Sequence, residues 1–239
     1  MLTLFLIFIL AIGAALIQRV SGFGFGIFVM IFFPLFLPTY GESTALSGLL
    51  AGSTALLIAI HHYKEIKWRI VLPLLIINLA TAFIAIEYMA SLSSATLKKS
   101  FGVMFILIAI YFLFLEGRAK LPQNWFTKGA LGSLSGIMGG MFAMPGPPLV
   151  LYCISHIKEK NAYIATLQAF SVLLNLFYTG FRARVGFIGE EIFLWWAIGL
   201  LGALIGTTIG KHLFGLISSE TLKKIVYLLL LVSGVIALI

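Results

Sequence analysis

The most constraining feature of this sequence is the length of its apolar runs. Residues 2–37 form one nearly uninterrupted apolar stretch, which would measure about 54 Å as a single helix at 1.5 Å per residue. The hydrocarbon core of a bilayer is about 30 Å thick and is crossed by about 20 helical residues. One straight helix therefore cannot hold the whole stretch inside a membrane, and the stretch must be broken.

Composition excludes most soluble classes of protein. The chain is 61% hydrophobic and only 10% charged, whereas a soluble domain carries roughly 25% charged residues. Its 16 Lys and Arg residues outnumber 8 acids, all of them Glu, and the cations lie between apolar runs, as membrane-orienting charges do. A nucleic-acid-binding protein would need a basic patch on a polar face. We therefore predict an all-α integral membrane protein and not a soluble enzyme.

Six apolar runs have the length of a single transmembrane helix: residues 43–62, 68–90, 97–116, 160–181, 190–215 and 221–239. Two segments do not fit. Residues 2–37 are interrupted at Gln18–Gly26, and residues 126–155 carry Gly139-Gly140 and Pro145-Gly146-Pro147-Pro148. Because Pro and Gly are unfavourable in helix interiors, we expect both segments to break at membrane depth. The first residues lack the positive region of a signal peptide, so we assign them to the fold.

The two interrupted segments begin two copies of one unit. An offset of 114 residues aligns identical residues in pairs: Ser21 with Ser135, Gly22 with Gly136, Gly26 with Gly140 and Pro34 with Pro148. Near the end of each copy, residues 93–99 match residues 218–224 at six of seven positions, at an offset of 125. The second copy thus carries about 11 additional residues, which we place near 182–191. We predict repeats at 1–120 and 121–239 within one compact transmembrane domain.

The distribution of cations predicts how the repeats are oriented. If both interrupted segments cross the membrane, the loop cations divide almost evenly between the two sides. If each segment is a re-entrant hairpin, 11 cations lie on one side and 4 on the other, with Arg19 at a hairpin tip. Since cytoplasmic loops carry excess Lys and Arg, we predict two inverted repeats, each a hairpin plus three transmembrane helices. Both termini then lie outside the cytoplasm.

Inverted repeats with discontinuous helices are typical of secondary transporters. Backbone groups freed by a break are tolerated only where they are buried or line a wet cavity, and the N-terminal amides of the second half-helix favour an anion. We predict an anion site at the midplane between the breaks. The candidate residues are Gln18, Arg19, Ser21, Gly22, Phe23, Gly24 and Gly26 at the first break, Gly139, Gly140, Met144, Pro145, Gly146 and Pro147 at the second, and Gln168 and Asn175 in a later span.

Several of these residues have structural alternatives. Arg19 is a cation at membrane depth, which indicates function, but its guanidinium could instead satisfy exposed carbonyls or reach the interface. The glycines of both hairpins also match the small-xxx-small pattern of close helix packing, as Gly202-xxx-Gly206-xxx-Gly210 does. Gln168 and Asn175 could simply bond neighbouring helices.

The two interruptions also carry a resemblance to a known family. Gln18–Gly26 followed by Pro34 resembles the first-repeat motif of the sulfite exporter TauE/SafE family, and Gly139-Gly140 through Pro145–Tyr152 resembles its second. The resemblance covers essentially the whole chain. It implies a bacterial or archaeal inner-membrane transporter of sulfite, organosulfonates or related small organic anions.

Coupling and assembly stay open at this point. Glu87 and His212 are the candidate proton-coupling groups, and facilitated diffusion of an anion down its gradient fits equally well. We expect no cofactor and no metal, because Cys153 is the single cysteine and the four His lack ligand spacing. A passive anion channel and a non-transporting assembly subunit are the alternative functions, and both a monomer and a homodimer are compatible with the sequence.

Overall fold

The computed structural model describes residues 1–114 and 121–213, together with Leu231, Val235 and Leu238. Within these residues the chain is helical and has no strand. The helices are α1 (Leu2–Ser21), α2 (Phe25–Phe36), α3 (Tyr40–His61), a 3₁₀ turn (Tyr63–Glu65), α4 (Trp68–Ala90), α5 (Ser94–Phe114), α6 (Trp125–Phe142), α7 (Gly146–His156), α8 (Lys160–Arg184) and α9 (Ile192–Leu213).

Five of the described helices are long and apolar enough to cross a membrane, namely α1, α3, α4, α8 and α9. The predicted span 68–90 has the bounds of α4, and the spans predicted in α3, α8 and α9 lie within a few residues of the observed ends. Helix α5 covers the predicted span 97–116 as far as Phe114, and the rest lies outside the described residues. The predicted span 221–239 also lies outside them, apart from three helical positions.

Both interrupted segments are broken helices. Between α1 and α2, Gly22 and Gly24 adopt left-handed conformations with φ of 83° and 99°, which glycine reaches without steric cost. Between α6 and α7, the left-handed residue is Ala143, with φ of 56°. A non-glycine residue in this region is uncommon and stores strain. The two breaks therefore reverse the chain by different local chemistry.

Each broken segment is a helical hairpin whose arms run antiparallel. A methyl group added at Gly13 of α1 would lie 3.2 Å from the Phe28 ring, and one added at Gly24 would lie 3.1 Å from Ile17, so α2 returns along α1. In the second hairpin, Ser135 Oγ of α6 donates to the carbonyl of Pro145 at 2.7 Å. Helix α7 also packs beside α6, since Leu134 of α6 and Leu151 of α7 line one apolar pocket.

The register of the two breaks differs from the predicted offset. Gly22 precedes Ala143 by 121 residues, not 114, and Gly136, the predicted counterpart of Gly22, lies inside α6. A methyl group at Gly136 would overlap Thr81 and the carbonyl of Asn78 in α4. Gly22 thus adopts a left-handed turn, whereas Gly136 allows two helices to pack closely. Aligning these two identical residues therefore does not align the two helix breaks.

The two halves of the chain interlock through small residues. Helix α1 packs along α9, where a methyl group at Gly202 or Gly206 would overlap the carbonyls of Phe8 and Ile12. The small-xxx-small prediction for α9 is therefore confirmed. Helix α6 packs along α4 in the same manner, through Gly136 and Gly140. Helices α3 and α8 cross between these two pairs and run antiparallel.

Candidate functional site: a cavity between two helix breaks

The two breaks meet in the interior of the protein. Gly26, in the first turn of α2, lies so close to Ala143 that an added methyl group would overlap the Ala143 carbonyl. Gly146 at the start of α7 faces Phe23, with 3.6 Å between an added methyl group and the ring. A cavity of about 60 Å³ lies at this junction, with walls from both breaks and from α3 and α8. This volume suits a small ion and not a drug-sized ligand.

The first turn of α2 gives the cavity its electrostatic character. Gly24, Phe25, Gly26 and Ile27 all line it, and the first N–H groups of a helix have no acceptor within the helix. The positive end of the α2 dipole therefore faces the cavity. Helix α7 supplies fewer donors, because two of its first three residues are Pro and only Gly146 carries an N–H.

Ser21 fixes the shape of the first break. Its Oγ lies 2.8 Å from the carbonyl of Ile17 in the last turn of α1 and 2.6 Å from the carbonyl of Phe23 in the break, so its hydroxyl group links the helix end to the break. The side chain is buried and does not line the cavity. Its observed contacts orient the backbone of the break.

A glutamine pair ties the first break to α3 and α8. Gln18 Nε2 donates to Gln168 Oε1 at 3.0 Å, and Gln168 Nε2 donates to the carbonyl of Gly22 at 2.9 Å. Thr54 Oγ1 of α3 donates to Gln18 Oε1 at 2.8 Å. All three side chains are buried. Gln18 lines the cavity, whereas Gln168 lies behind it and satisfies a backbone carbonyl.

A second polar network, which the sequence analysis did not assign to the site, orients the second break. Asn78 Nδ2 donates to Ser135 Oγ at 2.8 Å, and Ser135 donates in turn to the carbonyl of Pro145. Tyr178 Oη donates to Asn78 Oδ1. In a chain this apolar, the sequence signal for such a network is a polar residue within an apolar run. Each such residue needs a hydrogen-bond partner once it is buried.

The structure brings most of the predicted substrate-binding residues together. Nine of them line the cavity: Gln18, Gly22, Phe23, Gly24, Gly26, Met144, Pro145, Gly146 and Asn175. The other predicted residues, Arg19, Ser21, Gly139, Gly140, Pro147 and Gln168, do not. Pro147 lines a separate apolar pocket with residues of α5 and α6. Gly139 and Gly140 lie in the last turn of α6, where their carbonyls accept hydrogen bonds from Arg182.

Arg19 lies at a helix–helix interface. Its Cβ and Cγ pack against Gly210 of α9, 2.9 Å and 3.1 Å from where a methyl group on that glycine would stand. The side chain is half-buried and belongs to the last turn of α1. The structure thus places this cation outside the cavity wall, in contact with the opposite half of the chain.

The two candidate coupling groups lie apart. Glu87 Oε1 pairs with Arg184 Nη2 at 3.1 Å between α4 and α8, and His212 Nδ1 lies 2.9 Å from the carbonyl of Thr208 in its own helix. No hydrogen bond or ion pair of the described chain joins them. In the same described part, no three His, Cys, Asp or Glu side chains are grouped so that they could hold a metal ion.

Arg182 is the buried cation that the sequence analysis did not find. It is completely buried, and its Nη2 donates to the carbonyls of Gly139 at 2.8 Å and Gly140 at 3.3 Å. The predicted span ended at residue 181, so Arg182 was counted with the loop. Helix α8 continues to Arg184.

Comparison with known families gives one match. The model of the family described as sulfite exporter TauE/SafE matches residues 7–236, which include both helix breaks and all of the cavity-lining residues. Neither the curated proteins nor the solved structures give a match.

Proposed function

The chain belongs to the sulfite exporter TauE/SafE family of membrane transporters, and from this premise we propose that it moves a small sulfur-containing anion through the cavity between its two helix breaks. Sulfite and small organosulfonates are the proposed substrates. The observation that carries the proposal is the first turn of α2, whose residues line a small cavity at the positive end of a discontinuous helix.

The electrostatics of the cavity favour an anion over a cation. Within the described residues that line it, no side chain is a carboxylate. The backbone donors of α2 are fixed by the glycine conformations at the break, so they need no rearrangement to receive a charge. Gln18 and Asn175 add polar side chains without adding charge.

We propose that the protein works by alternating access as two inverted repeats. The arms of the first hairpin run antiparallel, which is the arrangement that a re-entrant path requires. Helices α3 and α8 occupy the same place in the two halves and pack antiparallel, as an axis in the membrane plane requires of equivalent helices. With the observed cation distribution, both termini lie outside the cytoplasm of a bacterial or archaeal cell.

The test is transport by purified protein in proteoliposomes. We expect uptake of ³⁵S-labelled sulfite that saturates with concentration and that is accelerated by unlabelled sulfite on the opposite side, because a carrier exchanges bound substrate. Non-saturating flux without exchange would indicate a channel. Absence of flux with sulfite and with a panel of small sulfonates would contradict the proposal.

A matched pair of glycine substitutions locates the site. Gly26→Ala places a methyl group against the Ala143 carbonyl and should reduce sulfite uptake at least about tenfold, since atomic-scale displacement of binding groups is costly. Gly129→Ala, in α6, meets no atom within 4 Å and should leave uptake unchanged. Equal uptake by the two variants would place the site elsewhere.

A further inference from the structure

Arg182 has more hydrogen-bonding capacity than its surroundings use. Its guanidinium donates through Nη2 to the last turn of α6 and lies 5.4 Å from the centre of the Tyr178 ring. Its Nε and Nη1 have no hydrogen-bond partner among the described residues. The Nε and Nη1 edge of this fully buried cation therefore has no hydrogen-bond acceptor in that part of the chain.

Two hydroxyl groups of α3 are also without partners among the residues that the structure describes. Tyr40 Oη and Ser47 Oγ are both buried, and neither has a hydrogen-bond partner in the described chain. They lie seven residues apart on α3, on the same face of the helix, and Tyr40 is within electrostatic reach of Arg182. Buried polar atoms without partners are rare in native proteins, and each of them calls for an explanation.

The charge of Arg182 is not balanced by a carboxylate. The ion pairs found in the described residues are those of His62 with Glu65 and of Arg184 with Glu87. A buried charge without a counter-charge is strongly unfavourable. The hydrogen bonds of Nη2 to the negative end of the α6 dipole stabilise part of this charge. They do not provide partners for Nε and Nη1.

Gly48 connects this edge to the cavity. A methyl group at Gly48 would lie 2.9 Å from Arg182 Nη1 and 3.0 Å from Asn175 Oδ1, and Asn175 lines the cavity. Ser47 Oγ lies 3.4 Å from a methyl position on Gly26, another cavity residue. Arg182 Nη1 and the cavity-lining Asn175 thus both lie against Gly48, which has no side chain to separate them.

We propose that Arg182, with the hydroxyls of Tyr40 and Ser47, forms a second anion subsite beside the cavity, reached past Gly48. This inference rests on the proposed transport of an anion, and it identifies Arg182 as the cation that the anion contacts. The anion supplies the missing counter-charge and accepts hydrogen bonds from Nε, Nη1 and the two hydroxyls. Gly48 and Asn175 also line a larger pocket of about 310 Å³ between α3 and α8.

The test combines sulfite binding and sulfite flux in four variants of the proposed subsite and one control variant. Arg182→Gln removes the charge, and we expect it to abolish the sulfite-dependent rise in Tm of the detergent-purified protein and to lower kcat/KM for uptake about 100-fold. Arg182→Lys keeps the charge but loses the planar fork, so its loss should be smaller. Arg69→Gln removes an exposed arginine charge and should behave as wild type.

Single-atom changes keep the test decisive if Arg182→Gln does not fold. Tyr40→Phe and Ser47→Ala leave the contacts of Arg182 with α6 intact, and each should raise the KM for sulfite about tenfold, as expected for loss of a hydrogen bond to a charged group. Unchanged KM in both variants would overturn the subsite. So would a folded Arg182→Gln protein with the wild-type Tm shift and flux, because Arg182 would then serve α6 alone.

Failure of the proposed function gives a different result. Wild-type protein would then show neither a Tm shift nor flux with sulfite or sulfonates. That result would contradict both the proposed function and the subsite. Wild-type transport with unaffected variants overturns only the subsite.

Discussion

At the residue scale, the first break depends on backbone conformation more than on space. Gly22 has a φ of 83°, yet a methyl group there would meet its nearest side-chain atom at 3.6 Å, an ordinary contact distance. The cost of any side chain at this position is therefore conformational. Ala143 shows that the fold accepts one such strained residue, at the other break.

Gly22→Ala should lower the free energy of unfolding by about 1–2 kcal/mol, the cost of a left-handed conformation for a residue with a Cβ. Gly180→Ala is the matched control, because Gly180 lies within α8 and has no atom within 4 Å of a methyl position. That change should stabilise the protein by about 1 kcal/mol. Thermal unfolding in detergent measures both, and a shift of the same sign in the two variants would contradict this account.

Arg19 and Arg182 show what residue patterns can and cannot predict. Both lie near the end of an apolar run, and the sequence favoured Arg19 because Gln18 and Ser21 stand beside it. Burial was decided instead by distant elements. The last turn of α6 supplies the acceptors for Arg182, and α9 supplies the surface for Arg19. No local pattern contains that information.

At the element scale, the two half-helices that follow the breaks are not equivalent. Helix α2 presents consecutive amides to the cavity, while α7 begins with Gly-Pro-Pro and presents one. The sequence predicted both breaks because Gly and Pro disfavour helix interiors. The second break offers an anion fewer backbone donors than the first, since proline starts a helix well but carries no N–H.

Pro147→Ala tests this difference between the half-helices. Pro147 lines an apolar pocket away from the cavity, and its first-turn position needs no donor, so we expect sulfite uptake within about threefold of wild type. Uptake kinetics in proteoliposomes measure the effect. A large rise in KM would return Pro147 to the substrate site.

The contact between α1 and α9 makes a second prediction at this scale. Gly206→Ala would drive a methyl group into the carbonyl of Ile12 and should destabilise the protein by about 1–3 kcal/mol, as overpacking does. Gly129→Ala has open space around it and serves as the control in the same thermal unfolding experiment. Equal stability of the two variants would show that the α1–α9 contact is looser than described.

At the scale of the whole molecule, bilayer thickness made the fold largely predictable. The thickness fixes the length of a spanning helix, and α4 accordingly has the predicted ends. The alignment of the two repeats was harder to predict from the sequence. Gly22 and Gly136 are identical, but Gly22 forms a left-handed turn and Gly136 allows close helix packing. Eight of the nine predicted cavity residues belong to the two interrupted segments and Asn175 to a later span, while the places of Arg182 and Asn78 depend on contacts between helices.

The proposed topology predicts which loops a membrane-impermeant thiol reagent can reach. Cys153 is buried, so an introduced cysteine reports its own loop. Glu190→Cys should be labelled in intact cells, whereas Lys64→Cys should be labelled only after permeabilisation, because both side chains are exposed on loops assigned to opposite sides. The reverse pattern would invert the assigned orientation.

The interlocking of α1 with α9 also has a consequence for biogenesis. Ribosomes add roughly 5–20 residues per second, and α9 begins about 190 residues after α1. The interval between the synthesis of α1 and that of α9 is therefore roughly 10–40 s. During that interval the apolar face of α1 that later contacts α9 is in contact with lipid. Helix α1 thus contacts α2 early in synthesis and α9 late.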